Sequence, residues 1–321
     1  MRIPNPDRII VATRRSRLAL TQTNLVVDAL KVAHPDLTIE LLEVTTTGDK
    51  DQRPFAQIGG KGLFTSEVEG ALLDGRADLA VHSAKDLTAT LAPGCDILCV
   101  PVRATRGDVV VGGGDGDGEG RIRGLAAGSK VGTSSMRRRA LLSELRNDLD
   151  AVELRGNLDT RLEKVRSGVV DVAVLAAAGL ARLGADASIG ALDPARWVPA
   201  PGQGALAVEA LGNRDDLRAL LEALADDATT LELAAERAFS ERLEGGCSVP
   251  LGCSAIVDGD RISITGFLAS HDGHAIREQL AGPAADAAAL GAELAEAVLA
   301  EGGDAILAAI EARVTPEIDE P

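Results

Sequence analysis

The chain has 321 residues, 45% of them hydrophobic, which is enough for two or three cores, and no unbroken apolar run reaches membrane-spanning length. A formal net charge of −16 repels nucleic acid except at local basic patches and so excludes a general polyanion-binding surface. The start, Met1-Arg-Ile-Pro-Asn-Pro-Asp7, lacks the apolar core of a signal peptide, so the cytoplasm is the expected compartment, with no membrane partner. Cys95, Cys99, Cys247 and Cys253 do not form paired C-x-x-C hooks, so no metal site is expected, and the thiols should be reduced.

Lysine occurs six times, while arginines group at Arg14, Arg15 and Arg17, at Arg137, Arg138 and Arg139, and at Arg155, Arg161 and Arg166. Arginine's planar fork pairs with carboxylates two bonds at a time, so arginines converging on one cleft would suit a small polycarboxylate.

Residues 8–13 read as a short buried strand, and Arg14-Arg15-Ser16-Arg17 follows where a helix begins, with Ser16 as N-cap. That helix is expected over 18–33, with Leu25, Val26, Ala29 and Leu30 on its inner face, and His34-Pro35 stops it. A strand over 38–45 completes a βαβ unit. In open α/β sheets ligands collect beyond the carboxyl ends of strands, which makes an arginine at 14–15 a ligand candidate.

Gly59-Gly60-Lys61-Gly62 lacks P-loop spacing and precedes a helix over 64–73 closed by Gly75; it reads either as a flexible loop or as a flap that delivers Lys61 to a ligand. Asp78-Leu-Ala-Val-His-Ser-Ala-Lys-Asp86 is a buried strand that runs into a polar cluster. Lys85 and Asp86 lie just past its carboxyl end, where a strand places catalytic groups rigidly. His82, within the apolar alternation, reads as a core histidine rather than a metal ligand.

A second segment echoes this one. Gly75-Arg-Ala-Asp-Leu-Ala-Val81 and Gly168-Val-Val-Asp-Val-Ala-Val174 share glycine, aspartate, alanine and valine at identical offsets, which implies a second α/β lobe over about 106–198. Its strand 108–111 is followed by Gly112-Gly-Gly-Asp-Gly-Asp-Gly-Glu-Gly120, an acidic loop without the EF-hand ligand pattern that is expected to be disordered. Gly132-Thr-Ser-Ser-Met-Arg-Arg-Arg139 describes a helix N-terminus, where free N–H groups and the helix dipole attract anions. At most two of its arginines can face one cleft; Arg137 and Arg138, nearest the helix start, are chosen, with Arg139 solvated. A strand over 152–155, a helix over 158–167 and a strand over 171–175 follow. Arg155 and Arg161 can then face Ser134 and Ser135, and Arg182 ends a further helix.

Pro199-Ala-Pro-Gly-Gln-Gly204 reads as a crossing between lobes, followed by a strand over 205–209, so the two lobes should enclose a hinged cleft. From about 217 come two helices, then a loop holding Cys247, strands over 254–257, 261–269 and about 276–280, and terminal helices. This is a small α+β third domain. The expected division is residues 1–102 with 201–220, then 103–200, then 221–321. Cys247, after two glycines and before a hydroxyl, is open to two readings: a reactive thiolate or an inert buried thiol.

Eight blocks in order carry a resemblance: Ala12-Thr-Arg-Arg-Ser16, Gly59-Gly-Lys-Gly-Leu-Phe64, Val81-His-Ser-Ala-Lys-Asp86, Val131-Gly-Thr-Ser-Ser-Met-Arg-Arg138, Leu154-Arg-Gly-Asn157 with Thr160-Arg161, Ala178-Gly-Leu-Ala-Arg-Leu-Gly184, Pro201-Gly-Gln-Gly204 and Leu243-Glu-Gly-Gly-Cys247. Over essentially its whole length the chain resembles the porphobilinogen deaminase (hydroxymethylbilane synthase) family. The resemblance implies two periplasmic-binding-protein-like α/β lobes plus a third domain whose loop cysteine, here Cys247, carries a dipyrromethane cofactor through a thioether. It further implies head-to-tail condensation of four porphobilinogens onto that primer with release of ammonia, then hydrolysis to hydroxymethylbilane, which passes to uroporphyrinogen-III synthase. The enzyme would be a cytoplasmic monomer of haem and porphyrin biosynthesis.

Carried across, Asp86 is the catalytic carboxylate that stabilises the positive azafulvene formed as ammonia leaves. Lys85, Ser135, Arg137, Arg138, Arg155 and Gln203 would hold the cofactor, and Arg14, Ser16, Lys61, Phe64, Arg161 and Arg182 the substrate. The chain departs from the pattern at Thr47 and Gln57, where basic residues are expected, and at Thr88, where proline is usual. A non-catalytic two-lobed carboxylate-binding protein is the rival; the start of the chain, the third domain and Cys247 speak against it.

Overall fold

The computed structural model describes residues 6–50, 62, 65–185, 187–244, 249–270 and 273–314. Lys61, Phe64, Gln57 and Cys247 lie outside these residues. Among them, no helix is long and apolar enough to cross a membrane.

The first lobe is built on β1 (Arg8–Arg14), α1 (Arg17–Ala33), β2 (Thr38–Val44), the short turn α2 (Thr47–Lys50), α3 (Ser66–Leu73), β3 (Leu79–Ser83) and β4 (Cys95–Cys99). The second holds β5 (Asp108–Gly112), α4 (Gly118–Arg123), β6 (Lys130–Gly132), α5 (Met136–Leu145), β7 (Asp150–Val152), α6 (Leu158–Arg166), β8 (Val172–Ala176), α7 (Ala177–Arg182) and β9 (Ile189–Ala191). The chain then returns to the first sheet as β10 (Leu206–Leu211) and packs α8 (Asp215–Leu221) on it. The third unit comprises α9 (Asp227–Arg242), β11 (Leu251–Asp258), β12 (Arg261–Ala269), β13 (Ala275–Pro283), α10 (Ala287–Val298) and α11 (Asp304–Val314). Sheet orders are β2-β1-β3-β10-β4, β7-β6-β8-β5-β9 and β11-β12-β13. The molecule therefore consists of two α/β lobes joined by a double crossing, the periplasmic-binding-protein-like build, plus a small α+β domain.

The sequence echo produces one local structure twice. Gly75 and Gly168 close their helices in the left-handed region, at φ +69° and +70°. Three residues on, the Asp78 carboxylate accepts the Ile10 N–H at 2.8 Å and the Asp171 carboxylate accepts the Lys130 N–H at 2.7 Å, each tying its strand to a parallel neighbour.

Three local expectations need correction. On α1 the buried face is Gln22, Thr23, Val26, Val27 and Leu30, while Leu25 and Ala29 point outward. Gln22 and Thr23 turn inward because they bond the Ser83 and Thr13 hydroxyls, both at 2.7 Å. The strand expected over 152–155 is β7 and ends at Val152, which leaves Arg155 in the following turn. The acidic loop after β5 is not disordered: Asp117 caps α4, and buried Arg121 donates to the carbonyls of Gly112, Gly116, Ser188 and Ile189. One guanidinium replaces the apolar core that this loop lacks.

Candidate active site

The anion-attracting helix start forms as the sequence indicates. Ser135 is the N-cap of α5 and accepts the Arg138 N–H at 3.4 Å, and the Ser134 hydroxyl donates to the Leu154 carbonyl at 2.8 Å. The arginines after it behave differently from expectation. Arg137 and Arg138 are buried and both grip Asp108 at the start of β5, at 2.8 and 2.7 Å. They also donate to the carbonyls of Val198 and Val174. Arg139 is not solvated but half-buried, donating to the carbonyls of Ala151 and Thr133.

The two guanidiniums carry one charge more than the carboxylate between them, and the Nε of each is buried with no hydrogen-bond partner among the described residues. Burial alone would raise the pKa of Asp108. The two arginines reverse that and hold it well below the usual carboxylate range.

Gln203, 1% exposed, joins this group to the other lobe. Its Nε2 donates to Asp108 at 2.9 Å and to the Arg106 carbonyl at 2.7 Å, while its Oε1 accepts from Arg138 and from Lys85, both at 3.4 Å.

Beyond β3 the chain makes a single 3-10 turn, Ala84–Asp86, fixed by the Ala84 N–H on the Ala205 carbonyl at 3.0 Å. Asp86 is about one-third exposed, and Arg14 at the end of β1 comes within 3.8 Å of it. The Lys85 side chain reaches solvent, yet protein crowds it closely. That crowding, with repulsion from Arg138 only partly offset by Asp86, brings its pKa down to about 8. Arg161 on α6 is pulled down to about 10 by burial and by Arg138, against the attraction of Asp86, and so stays charged at neutral pH. Lys85, Asp86, Arg14, Arg137, Arg138, Arg161 and Gln203 thus converge from both lobes.

Other candidates are held in local duties. Ser16 caps α1 by accepting the Ala19 N–H. Arg155 pairs with Glu153 at 2.7 Å while also repelling Arg161. Arg182 donates to the Gly204 carbonyl in the crossing at 2.7 Å, and burial lowers its pKa.

Sequence reasoning missed Asp108, and it missed the ties between the crossings and the third unit. Arg103 pairs with Glu236 at 2.8 Å and with Glu232 at 3.4 Å, Arg106 pairs with Glu232 at 2.9 Å, and Glu236 also accepts the N–H groups of Gly202 and Ala255. The one available signal was two glutamates a helical turn apart on α9 among apolar residues.

The named cations outnumber Asp86, Asp108 and Glu153, and two buried Nε–H donors have no partner among the described residues, so the site fits a ligand bearing several carboxylates. A two-lobed arrangement of this kind, with cations in excess and Asp86 the carboxylate left partly exposed, is the class of site that suits a multiply charged anion.

Two family models cover most of the chain: porphobilinogen deaminase, dipyromethane cofactor binding domain, over residues 9–219, and porphobilinogen deaminase, C-terminal domain, over 230–300. The chain is 46% identical over 302 residues to a porphobilinogen deaminase of Roseiflexus sp. (strain RS-1), covering 94% of this chain and 98% of that one. It is 47% identical over 305 residues to one from Bordetella parapertussis, covering 94% and 96%. The chain belongs to the porphobilinogen deaminase family, transferases of tetrapyrrole biosynthesis that carry a dipyrromethane cofactor.

Proposed function

We propose that Asp86 is the group that acts on porphobilinogen and that Cys247 holds the cofactor. The observation that carries this reading is the setting of Asp86: a partly exposed carboxylate at a strand end, facing Arg14 and within the field of Lys85 and Arg161. The Asp86 carboxylate accepts hydrogen bonds from pyrrole N–H groups and stabilises the positive charge that develops on the substrate as ammonia leaves.

Each pyrrole unit brings an acetate and a propionate, so the arginines orient the reactants by their side chains. Arg14, Ser16, Arg161 and Arg182 serve substrate, with Lys61 and Phe64; Lys85, Ser135, Arg137, Arg138, Arg155 and Gln203 serve the cofactor. When bound, the dipyrromethane supplies the free pyrrole carbon from which the chain grows. Arg137 and Arg138 are already committed to Asp108, so we assign them their remaining Nε–H groups and their net positive charge rather than their full forks. The protein works as a cytoplasmic monomer, and its product, hydroxymethylbilane, passes to uroporphyrinogen-III synthase. Residues 1–102 with 201–220, then 103–200, then 221–321 act as its three domains.

Intact mass tests this. The purified protein should exceed its amino-acid mass by two linked pyrrole units, brief exposure to porphobilinogen should add units stepwise, and Cys247→Ala should carry none. An active protein at bare chain mass sinks the reading. A chain that binds porphobilinogen without elongating anything would instead be a carboxylate-binding protein.

A further inference from the structure

The first lobe buries ionisable side chains where the second has aliphatic ones. His82 on β3 and Glu209 on β10 are 5% and 0% exposed, with Nε2 and Oε2 2.9 Å apart. The offset that carries Gly75 onto Gly168 carries β3 onto β8 in the same register and His82 onto Leu175. Glu209 lies opposite Ala80, and Val111 lies opposite the matching Ala173. Leu175 and Val111 pack in one apolar cluster.

Despite the short approach, neither Glu209 oxygen nor His82 Nε2 makes a well-aligned hydrogen bond among the described residues. A buried pair of this kind is often no better for stability than apolar side chains of similar volume. The second lobe makes the same sheet without it, so the fold alone does not call for the pair.

Its surroundings indicate a use. The Glu209 carboxylate attracts Arg237 of α9 and disfavours the charged forms of Glu69 on α3 and Cys95 on β4. Glu69 accepts the Ala92 N–H at 3.2 Å, and Arg237 donates to the carbonyls of Thr88 and Ala89 at 3.1 and 2.7 Å. The segment that carries Lys85 and Asp86 is therefore held upstream by His82, beside Glu209, and downstream by Arg237, which Glu209 attracts; Glu69, which holds Ala92, is repelled by Glu209.

We infer that His82 and Glu209 are positioning residues: the buried carboxylate holds His82 and attracts Arg237, and through these two sets where Lys85 and Asp86 stand in the cleft. This rests on Asp86 acting on substrate, as proposed above.

The double variant His82→Leu/Glu209→Val copies the second lobe's own pair into the first. In the holoprotein, melting temperature and loaded mass should match wild type and KM for porphobilinogen should stay within about twofold, while kcat falls about tenfold to a hundredfold, the scale of a small misplacement of a catalytic group. Glu209→Gln, which keeps the shape and removes the charge, should show the same split more weakly. Wild-type kcat in the double variant overturns the inference. So does a parallel loss of melting temperature, loaded mass and kcat, which would make the pair merely structural. If the double variant does not fold, Glu209→Gln decides alone: lowered kcat at unchanged melting supports the inference, and unchanged kcat overturns it. Wild-type turnover in Asp86→Ala would instead remove the functional reading, whatever the pair does.

Discussion

In the first lobe, β3 runs into a turn that presents Lys85 and Asp86 to the cleft; in the second, its counterpart β8 runs into helix α7, and the matching positions are Ala178 and Gly179. Register against the neighbouring strands is the same in both, so the backbone is not what distinguishes them. The second lobe puts its charge on α5 and locks part of it onto Asp108. Gly179 lies where an added Cβ would meet Leu18 of α1 at 3.6 Å, an ordinary contact, so that strand end serves packing between the lobes. One scaffold thus supplies a strand end twice, once carrying Lys85 and Asp86 and once packed against the other lobe.

The comparison can be broken at either lobe. Asp86→Ala should lower turnover by about a thousandfold, the scale of a lost charge-stabilising group, with melting unchanged. Turnover within tenfold of wild type would mean that the exposed strand end is not where the reaction occurs.

Asp108→Ala should act on stability instead. It leaves two buried guanidiniums facing each other, and urea denaturation should register a loss of about 3–5 kcal/mol. Because the pKa of Asp108 is depressed in the folded protein, its stabilising contribution is complete at neutral pH and fades as pH falls below about 4, the unfolded value, toward the folded one.

A pH series on turnover tests the electrostatic side. Lys85 gives up its charge as pH rises through about 8, so its hold on the cofactor's carboxylates weakens and kcat should fall above that point. Lys85→Arg should flatten the fall, since arginine stays protonated. For stability the sign is opposite to that of a paired lysine: the charged form is disfavoured in the fold, and this cost is relieved as pH rises from about 8 toward the ordinary lysine value. Smallest of all, Gly179→Ala should leave kcat unchanged and stabilise the α7 helix by up to about 1 kcal/mol, read by thermal melting.

What was legible in the sequence was local. Ser16 and the 132–139 stretch with Ser135 announce helix starts because a cap bonds within three residues of itself, and both serines do so. The Gly-Asp echo announced two similar lobes for the same reason. Asp108 could not be seen as the partner of Arg137 and Arg138, nor Glu236 as that of Arg103, because those pairs are 29, 30 and 133 positions apart. Hydrophobicity is not the only reason to face inward: Gln22 and Thr23 occupy the inner face of α1 as hydrogen-bonding groups, and Leu25 stays exposed. The arginine octapeptide is legible as a cluster of positive charge, but the buried carboxylate that takes up one of those charges, Asp108, is not.

Gly202, in the second crossing, has φ +72°, and a Cβ added there would come within 2.8 Å of the Ala84 carbonyl carbon and 2.9 Å of the Lys85 nitrogen. The second crossing therefore lies directly against the backbone that leads to Asp86. Any side chain at position 202 would have to push the 84–85 peptide aside, so the path of the crossing and the placement of that carboxylate are fixed together.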